Sequence, residues 1–289
     1  MNIIELMISV TCVLICLFIG SIIPITTLDG DILLHIVGII FIIHVIIFIP
    51  SYILKTEKYF DITGTIAYLS IIFYIFYKFK LNSIEISFQS KMVSLMVLIW
   101  ALRLGIFLFI RIKKFKNDSR FDDAKKSFFK FLRFWMISSL WVFITTINAI
   151  TLIINNQNIT NNIFLIMGLI IWIIGFLTES IADYQKYKFK KLNQSSFISS
   201  GIWAYSQHPN YFGEITLWIG IFIISIGSLN GIQFVTIISP IFIYLLLTKI
   251  SGINLLEESA KAKWGNDINY NKYTDNTPKL MPNFFKRRV

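Results

Sequence analysis

Eight runs of apolar residues constrain this chain more than any motif does. They cover roughly 3–25, 32–54, 62–81, 92–110, 129–154, 163–184, 210–228 and 231–250. An α-helix rises about 1.5 Å per residue and a bilayer's hydrocarbon is about 30 Å thick, so about 20 apolar residues make one crossing. Inside hydrocarbon every backbone N–H and C=O must be satisfied by the chain itself, which leaves helices or a closed barrel, and unbroken apolar runs select helices. The expected fold is therefore all-α: a polytopic transmembrane bundle of seven or eight spans with a cytosolic C-terminal tail. A composition of 55% hydrophobic and 15% charged residues, with a mean hydropathy of +0.68, excludes a soluble enzyme with a large core. The first run has Glu5 and no basic residue ahead of it, so it lacks the basic start of a signal peptide and reads as a retained span.

The charges test this organisation independently. If the chain crosses eight times, the loops on the amino-terminal side hold 23 of the 27 lysines and arginines. The other side keeps Lys78, Lys80 and Lys91, while Arg103 lies within a span. By the positive-inside rule both termini and the large basic loops are cytosolic, in the endoplasmic reticulum of a eukaryote or the inner membrane of a bacterium. The net charge of +11 follows from that rule and from attraction to anionic lipid, and calls for no nucleic acid. On the opposite face Asn158-Ile159-Thr160 forms a glycosylation sequon, a tripeptide that also arises by chance in an Asn-rich, Ile-rich chain.

Few polar residues interrupt the spans, and those few carry the functional reading. Gly201-Ile-Trp-Ala-Tyr-Ser-Gln-His-Pro-Asn-Tyr-Phe-Gly-Glu214 leads into the seventh run. Pro209 suits the first position of a helix, so the helix is expected to start at His208 or Pro209. Asn210, Glu214 and Trp218 then share one face. A carboxylate at that depth needs something opposite it. Either a lysine within the bundle pairs with Glu214 while the aromatics form an interfacial belt, or the helix N-terminus and Tyr205, His208, Asn210 and Tyr211 receive an anionic ligand.

In the sixth run Glu179, Asp183, Lys186 and Lys190 form one stripe. The stripe is either a self-satisfied salt-bridge ladder or a set of carboxylates for ribose hydroxyls with lysines for phosphates. Trp100 and Arg103 sit one turn apart in the fourth run, where an arginine must find a carboxylate, carbonyls or a ligand. Cys12 and Cys16 read as packing residues, and His35 and His44 as hydrogen-bonded structural ones. Leu255 to Trp264 reads as a short amphipathic helix ended by Gly265, followed by a tail able to fold over the signature. The chain holds no Walker loop, dinucleotide-binding glycine fingerprint or zinc spacing, and no obligatory protein partner is evident.

The stretch 201–214, with Trp218 and Gly220, closely resembles the signature of the steroid 5α-reductase-like membrane proteins, in particular their broad, uncharacterised branch. The likeness extends back through Glu179, Asp183, Gln185, Lys186 and Phe189 to Trp100, Arg103, Phe107 and Arg111. Forward, it runs through Ser239-Pro240, Lys249 to Gly252, Leu255 to Glu257, Trp264-Gly265, Tyr270, Tyr273 and Thr277-Pro278. It covers most of the chain from about Lys55, and divides it into N-terminal membrane helices, 1–54, and a catalytic domain, 55–289.

The resemblance implies a membrane enzyme that binds NADPH at its cytosolic end and reduces a carbon–carbon double bond conjugated to a carbonyl in a lipid. Asn210 and Glu214 would contact the nicotinamide or its ribose, Asp183 and Lys190 the adenosine and phosphates, and Lys249 would stand where the reductases use a basic group. Glu179, Lys186, Tyr205, His208, Tyr211, Glu257 and Tyr273 complete the expected cofactor set. Trp100, Arg103 and Glu214 are the expected catalytic residues, with Asp61 a further counterpart of the carbonyl-binding pair. Two departures stand out: Trp100 lacks an acidic hydroxyl, and Gln207 replaces the usual arginine, which weakens any phosphate contact made there. The alternative is an isoprenylcysteine-type methyltransferase using S-adenosylmethionine, which shares the His-Pro-x-Tyr turn, a Glu-Glu pair comparable to Glu257-Glu258 and the closing tyrosines. A non-catalytic lipid-binding protein is the third class.

Overall fold

The computed structural model describes residues 2–115, 121–157, 162–193 and 195–283. The sequon at 158–160 lies outside the described residues. Ten α-helices account for most of the rest: α1 (Asn2–Ile22), α2 (Ile32–Ile53), α3 (Phe60–Leu81), α4 (Phe88–Phe115), α5 (Phe128–Asn155), α6 (Asn162–Leu192), α7 (Pro209–Ser225), α8 (Ile238–Leu245), α9 (Ile253–Trp264) and α10 (Ile268–Asn276). A 3-10 stretch, Gly231–Ile237, precedes α8 and a π-helical turn, Leu246–Ile250, follows it. The described residues contain no strand, and the chain is an all-helical, polytopic membrane protein.

Among the described residues, seven stretches are long and apolar enough to cross a membrane: α1 to α6 and the composite Gly231–Trp264. The eight runs of the sequence resolve into these seven because α7 has only 17 residues, about 26 Å at 1.5 Å per residue. That sits at the lower limit for a span. The expected run to residue 228 stops at Ser225, whose carbonyl accepts from the backbone N–H of Ser228 and of Leu229, turning the chain.

The chain divides into two compact units, Met1–Asn162 with Ser225–Ile237, and Ile163–Ile224 with Ile238–Val289. Unit 1 is built on α5. In α5, 83% of the apolar window is buried, against 33–44% in α1 to α4, so α5 is the core and the others are its walls. Phe48, Phe131 and Trp135 pack as an aromatic cluster between α2 and α5. Glu5, the acid that argued against a cleaved leader, is buried and forms an ion pair with Arg133 of α5 at 2.7 Å. At one end of α5, Asn156 adopts φ 52° and accepts from the backbone N–H of Ser87 at 2.7 Å, which ties the α5 end to the α4 start. Asn148 donates to Ser225 and Thr236 at 2.9 and 3.0 Å, so a buried amide fixes the 225–237 segment.

Unit 2 is organised by glycines. Gly168 and Gly175 of α6 meet Gly213 and Gly220 of α7, two residues seven apart on each helix. A Cβ on Gly175 would lie 2.5 Å from Leu217 N, and one on Gly213 the same distance from Glu179 N. Only hydrogen fits between these backbones, the small-residue packing by which membrane helices approach closely.

Candidate functional site

The α6–α7 contact is what assembles the predicted site. Gly213 brings α7 against the backbone of Glu179, so Glu179 and Glu214 sit at the same level of the crossing, 2% and 7% exposed. Asp183, one turn further along α6, is 8% exposed. Three carboxylates thus lie in the enclosed part of unit 2.

The signature loop docks on the next turns of α6. Gly201 takes φ +66°, and a Cβ there would strike Gln185 Oε1 at 2.3 Å. That close approach lets Gln185 accept from the Ile202 N–H at 3.1 Å. Trp203 donates its indole N–H to Ala182 O at 3.2 Å, and Lys186 lies over the Trp203 ring at 4.7 Å. Helix α7 begins at Pro209, as expected, with His208 O accepting from Phe212 N. The imidazole of His208 stacks on Tyr211, with ring centroids 5.6 Å apart.

The C-terminal tail closes over the loop. Ser206 donates to Leu280 O at 2.7 Å, Tyr273 donates to Trp203 O at 2.8 Å, and Asn283 N donates to Tyr205 O. Gln207 is part of this clamp: its side-chain amide donates to Thr274 O and Thr277 O at 2.9 and 2.6 Å, and Pro278 O accepts from its backbone N–H. The substitution that seemed to lose a phosphate-binding cation therefore holds the tail. Burial raises the Tyr273 phenol above its usual range, so it stays a donor. Phe197 packs against Trp264, Tyr270 and Tyr273, which seats α9 and α10 on this end of the unit.

Burial, reinforced by the positive charges of Lys186 and Lys279, pushes the His208 imidazole down to about 3. Burial is the larger cause, and the two lysine charges add to it, so an anion reaching this place would meet Lys186 and Lys279. Lys279, which the sequence reading passed over, also pairs with Glu257 at 2.8 Å, connecting the tail to α9. Its signal was faint, a lone lysine after Thr277-Pro278.

The remaining expected residues are less enclosed. Asn210 and Tyr211 are half-buried on the first turn of α7, while Lys190 and Lys249 are exposed, at the end of α6 and on the π-helical turn. Unit 2 thus gathers Glu179, Asp183, Lys186, Tyr205, His208, Asn210, Tyr211, Glu214 and Tyr273 around the signature loop. The acceptors suit ribose hydroxyls or a carboxamide, and the Lys186, Lys279 and His208 group suits phosphate or carboxylate. These residues fit a nucleotide cofactor.

Trp100 and Arg103 belong to unit 1. There α3, α4 and α5 form a small apolar pocket, with about 40 Å³ of room for the centre of a water-sized molecule, lined by Asp61, Thr65, Tyr68, Trp100, Ser138 and Trp141 among others. Trp100 is its buried wall, edge-on to Tyr68 with centroids 5.3 Å apart. Arg103 is half-buried on the next turn and is not among the lining residues. The sequence reading missed Tyr68 and Ser138, each one polar residue among many aromatics or serines with no spacing to mark it.

No curated protein and no solved structure matches the chain. A family model does, over residues 47–277: the one described as a protein of unknown function (DUF1295). The match spans most of the chain, from the end of α2 to the tail that closes over the signature loop, and the protein belongs to that family.

Proposed function

We propose that the protein is an NADPH-dependent reductase of a conjugated carbon–carbon double bond in a lipid, working from the cytosolic face of the membrane. The observation that carries this reading is the union, in one unit, of buried carboxylates Glu179, Asp183 and Glu214 with the Lys186 and Lys279 charges near His208. Those are the two chemistries a dinucleotide asks for. The resemblance of 201–220 to the steroid 5α-reductase-like signature selects NADPH over other nucleotides.

Bound NADPH would supply the hydride. Glu214 and Asn210 would hold its nicotinamide end, Asp183 the adenosine ribose, and Lys186 with Lys279 the phosphates. In unit 1, the Tyr68 phenol is the donor best suited to a carbonyl oxygen, because in an apolar pocket a hydrogen bond to developing negative charge is strengthened. Trp100, first given that role, packs edge-on against the Tyr68 ring. Asp61 lines the same pocket.

The methyltransferase reading has one observation of its own. Glu257 and Tyr273 both contact the clamp around the signature loop, through Lys279 and Trp203 O. Titrating the purified full chain with each cofactor, and reading its thermal unfolding, separates the two. NADPH should stabilise saturably, by about 2.7 kcal/mol at a hundredfold excess over Kd, and S-adenosylmethionine should not. The reverse result assigns methyl transfer, and protection by neither favours a non-catalytic lipid-binding or scaffold protein.

A further inference from the structure

Helix α5 sets two polar side chains one turn apart, Ser138 and Trp141, and both line the apolar pocket of unit 1. A serine within a helix commonly bonds the carbonyl four residues back, as Ser139 does to Trp135 O at 3.0 Å. Ser138 instead meets His44 of α2, its Oγ 3.2 Å from Nε2. The other ring nitrogen of His44, Nδ1, lies 2.8 Å from Ile40 O. A carbonyl oxygen only accepts, so Nδ1 carries the proton, and in the neutral imidazole Nε2 is left as the acceptor. The Ser138 proton is thereby committed to His44. What Ser138 has left to offer a ligand is lone pairs.

Trp141, the other polar residue of this pair, has the opposite character. Its indole N–H is buried with no hydrogen-bond partner among the described residues, and an indole nitrogen can only donate. A buried donor left unsatisfied costs about 1–3 kcal/mol, so a ligand that meets it gains that much selectivity. One side chain that only accepts and one that only donates, on the same helix face, match a group that gives one hydrogen bond and takes one. A carbonyl or ether oxygen can satisfy Trp141 but sets an acceptor against Ser138.

We propose that this pocket recognises an apolar molecule through an alcohol, whose O–H donates to Ser138 Oγ and whose oxygen accepts from Trp141 Nε1–H. His44 is the positioning residue that fixes the direction of the serine. This rests on the reading of the pocket as the lipid site of the reductase, and names that lipid as a hydroxylated one, with Tyr68 left to serve the carbonyl.

The test uses the full chain in detergent, without NADPH, and a matched pair of probes: 1-decanol and its methyl ether, 1-methoxydecane. Binding is read by tryptophan fluorescence, since Trp100 and Trp141 line the pocket, with probe concentrations expressed per micellar detergent. The wild type should bind the alcohol about tenfold more tightly than the ether. Ser138→Ala should narrow that ratio to about twofold while the chain stays folded. His44→Phe should release the Ser138 proton and raise affinity for the ether, an effect a merely structural histidine would not produce. Equal binding of both probes by the wild type, or an unchanged ratio in Ser138→Ala, overturns the inference. Because no cofactor is present, failure of NADPH binding would leave the alcohol preference standing, and equal probe binding by a chain that does bind NADPH would sink this proposal alone.

Discussion

The two units solve the same difficulty, polar groups in an apolar protein, in opposite ways. Unit 1 keeps its polar side chains apart and satisfies several of them pairwise across long helices, as with Glu5 and Arg133, Asn148 and Ser225, or His44 and Ser138. Unit 2 gathers them, with three buried carboxylates, a buried histidine and two nearby lysines set around one loop. The pocket of that unit is left apolar. A gathered cluster favours a polar, charged ligand, and it holds only because backbone contacts brace it: glycine against glycine between α6 and α7, and the tail folded over the loop.

That contrast can be broken most forcefully at the glycines. Gly213→Ala or Gly175→Ala would put a methyl 2.5 Å from partner backbone, which cannot swing aside as a side chain can. Each should destabilise the protein by about 3 kcal/mol or more in thermal unfolding. In unit 1, Gly38 has nothing within 4 Å of an added Cβ, so Gly38→Ala should be neutral or stabilise by up to about 1 kcal/mol. Equal effects at the two places would remove the distinction between braced and unbraced helices.

A smaller effect, on binding alone, is expected from Glu214→Ala and Asn210→Ala. Each should weaken NADPH binding by about tenfold or more with little change in unfolding temperature. Unaltered affinity in folded variants would take these residues out of the site. Glu5→Gln, by contrast, should lower stability and leave NADPH affinity alone, because its partner is Arg133.

The clamp should show next. Gln207→Ala removes donors to Thr274 O and Thr277 O, and limited proteolysis should then cut the tail faster, with a stability loss of about 1–2 kcal/mol. If Gln207→Ala leaves the tail protected and instead lowers cofactor affinity, the side chain serves the ligand after all.

A further effect is on pH dependence. His208 has a folded value of about 3, below its ordinary 6.5, so between those limits the unfolded chain binds the extra proton. The contribution is fully present above pH 6.5 and declines as pH falls, with a slope approaching 1.4 kcal/mol per unit until about pH 3. Difference curves between wild type and His208→Gln should show that slope, and parallel curves would mean the imidazole is not so enclosed.

Unit 2 was the more legible in sequence because its chemistry is local. Pro209, the helical spacing of Asn210 and Glu214, and the stripe through Glu179 and Asp183 all lie within single helices, and the structure adds only that Gly213 and Gly175 bring the two helices together. Unit 1 was legible as spans but not as a site. Ser138 and His44 are 94 residues apart, and nothing in either helix marks the pairing. The partners of Gln207 were hidden for a related reason: they lie 67 and 70 residues downstream, in a tail whose folding back the sequence suggested but could not aim. Even the span count turned on a tertiary detail, since the Ser225 carbonyl ends α7 where hydropathy alone would continue it.

The central claim is that a nucleotide docks at the amino end of α7. Irradiating the full chain with an azido-labelled NADPH analogue, then identifying the modified peptides by mass spectrometry, tests it most directly. The account predicts adducts within 179–190 and 201–214, suppressed by unlabelled NADPH and lost in Glu214→Ala. Saturable adducts confined to 1–157, or labelling that excess NADPH does not reduce, would contradict it.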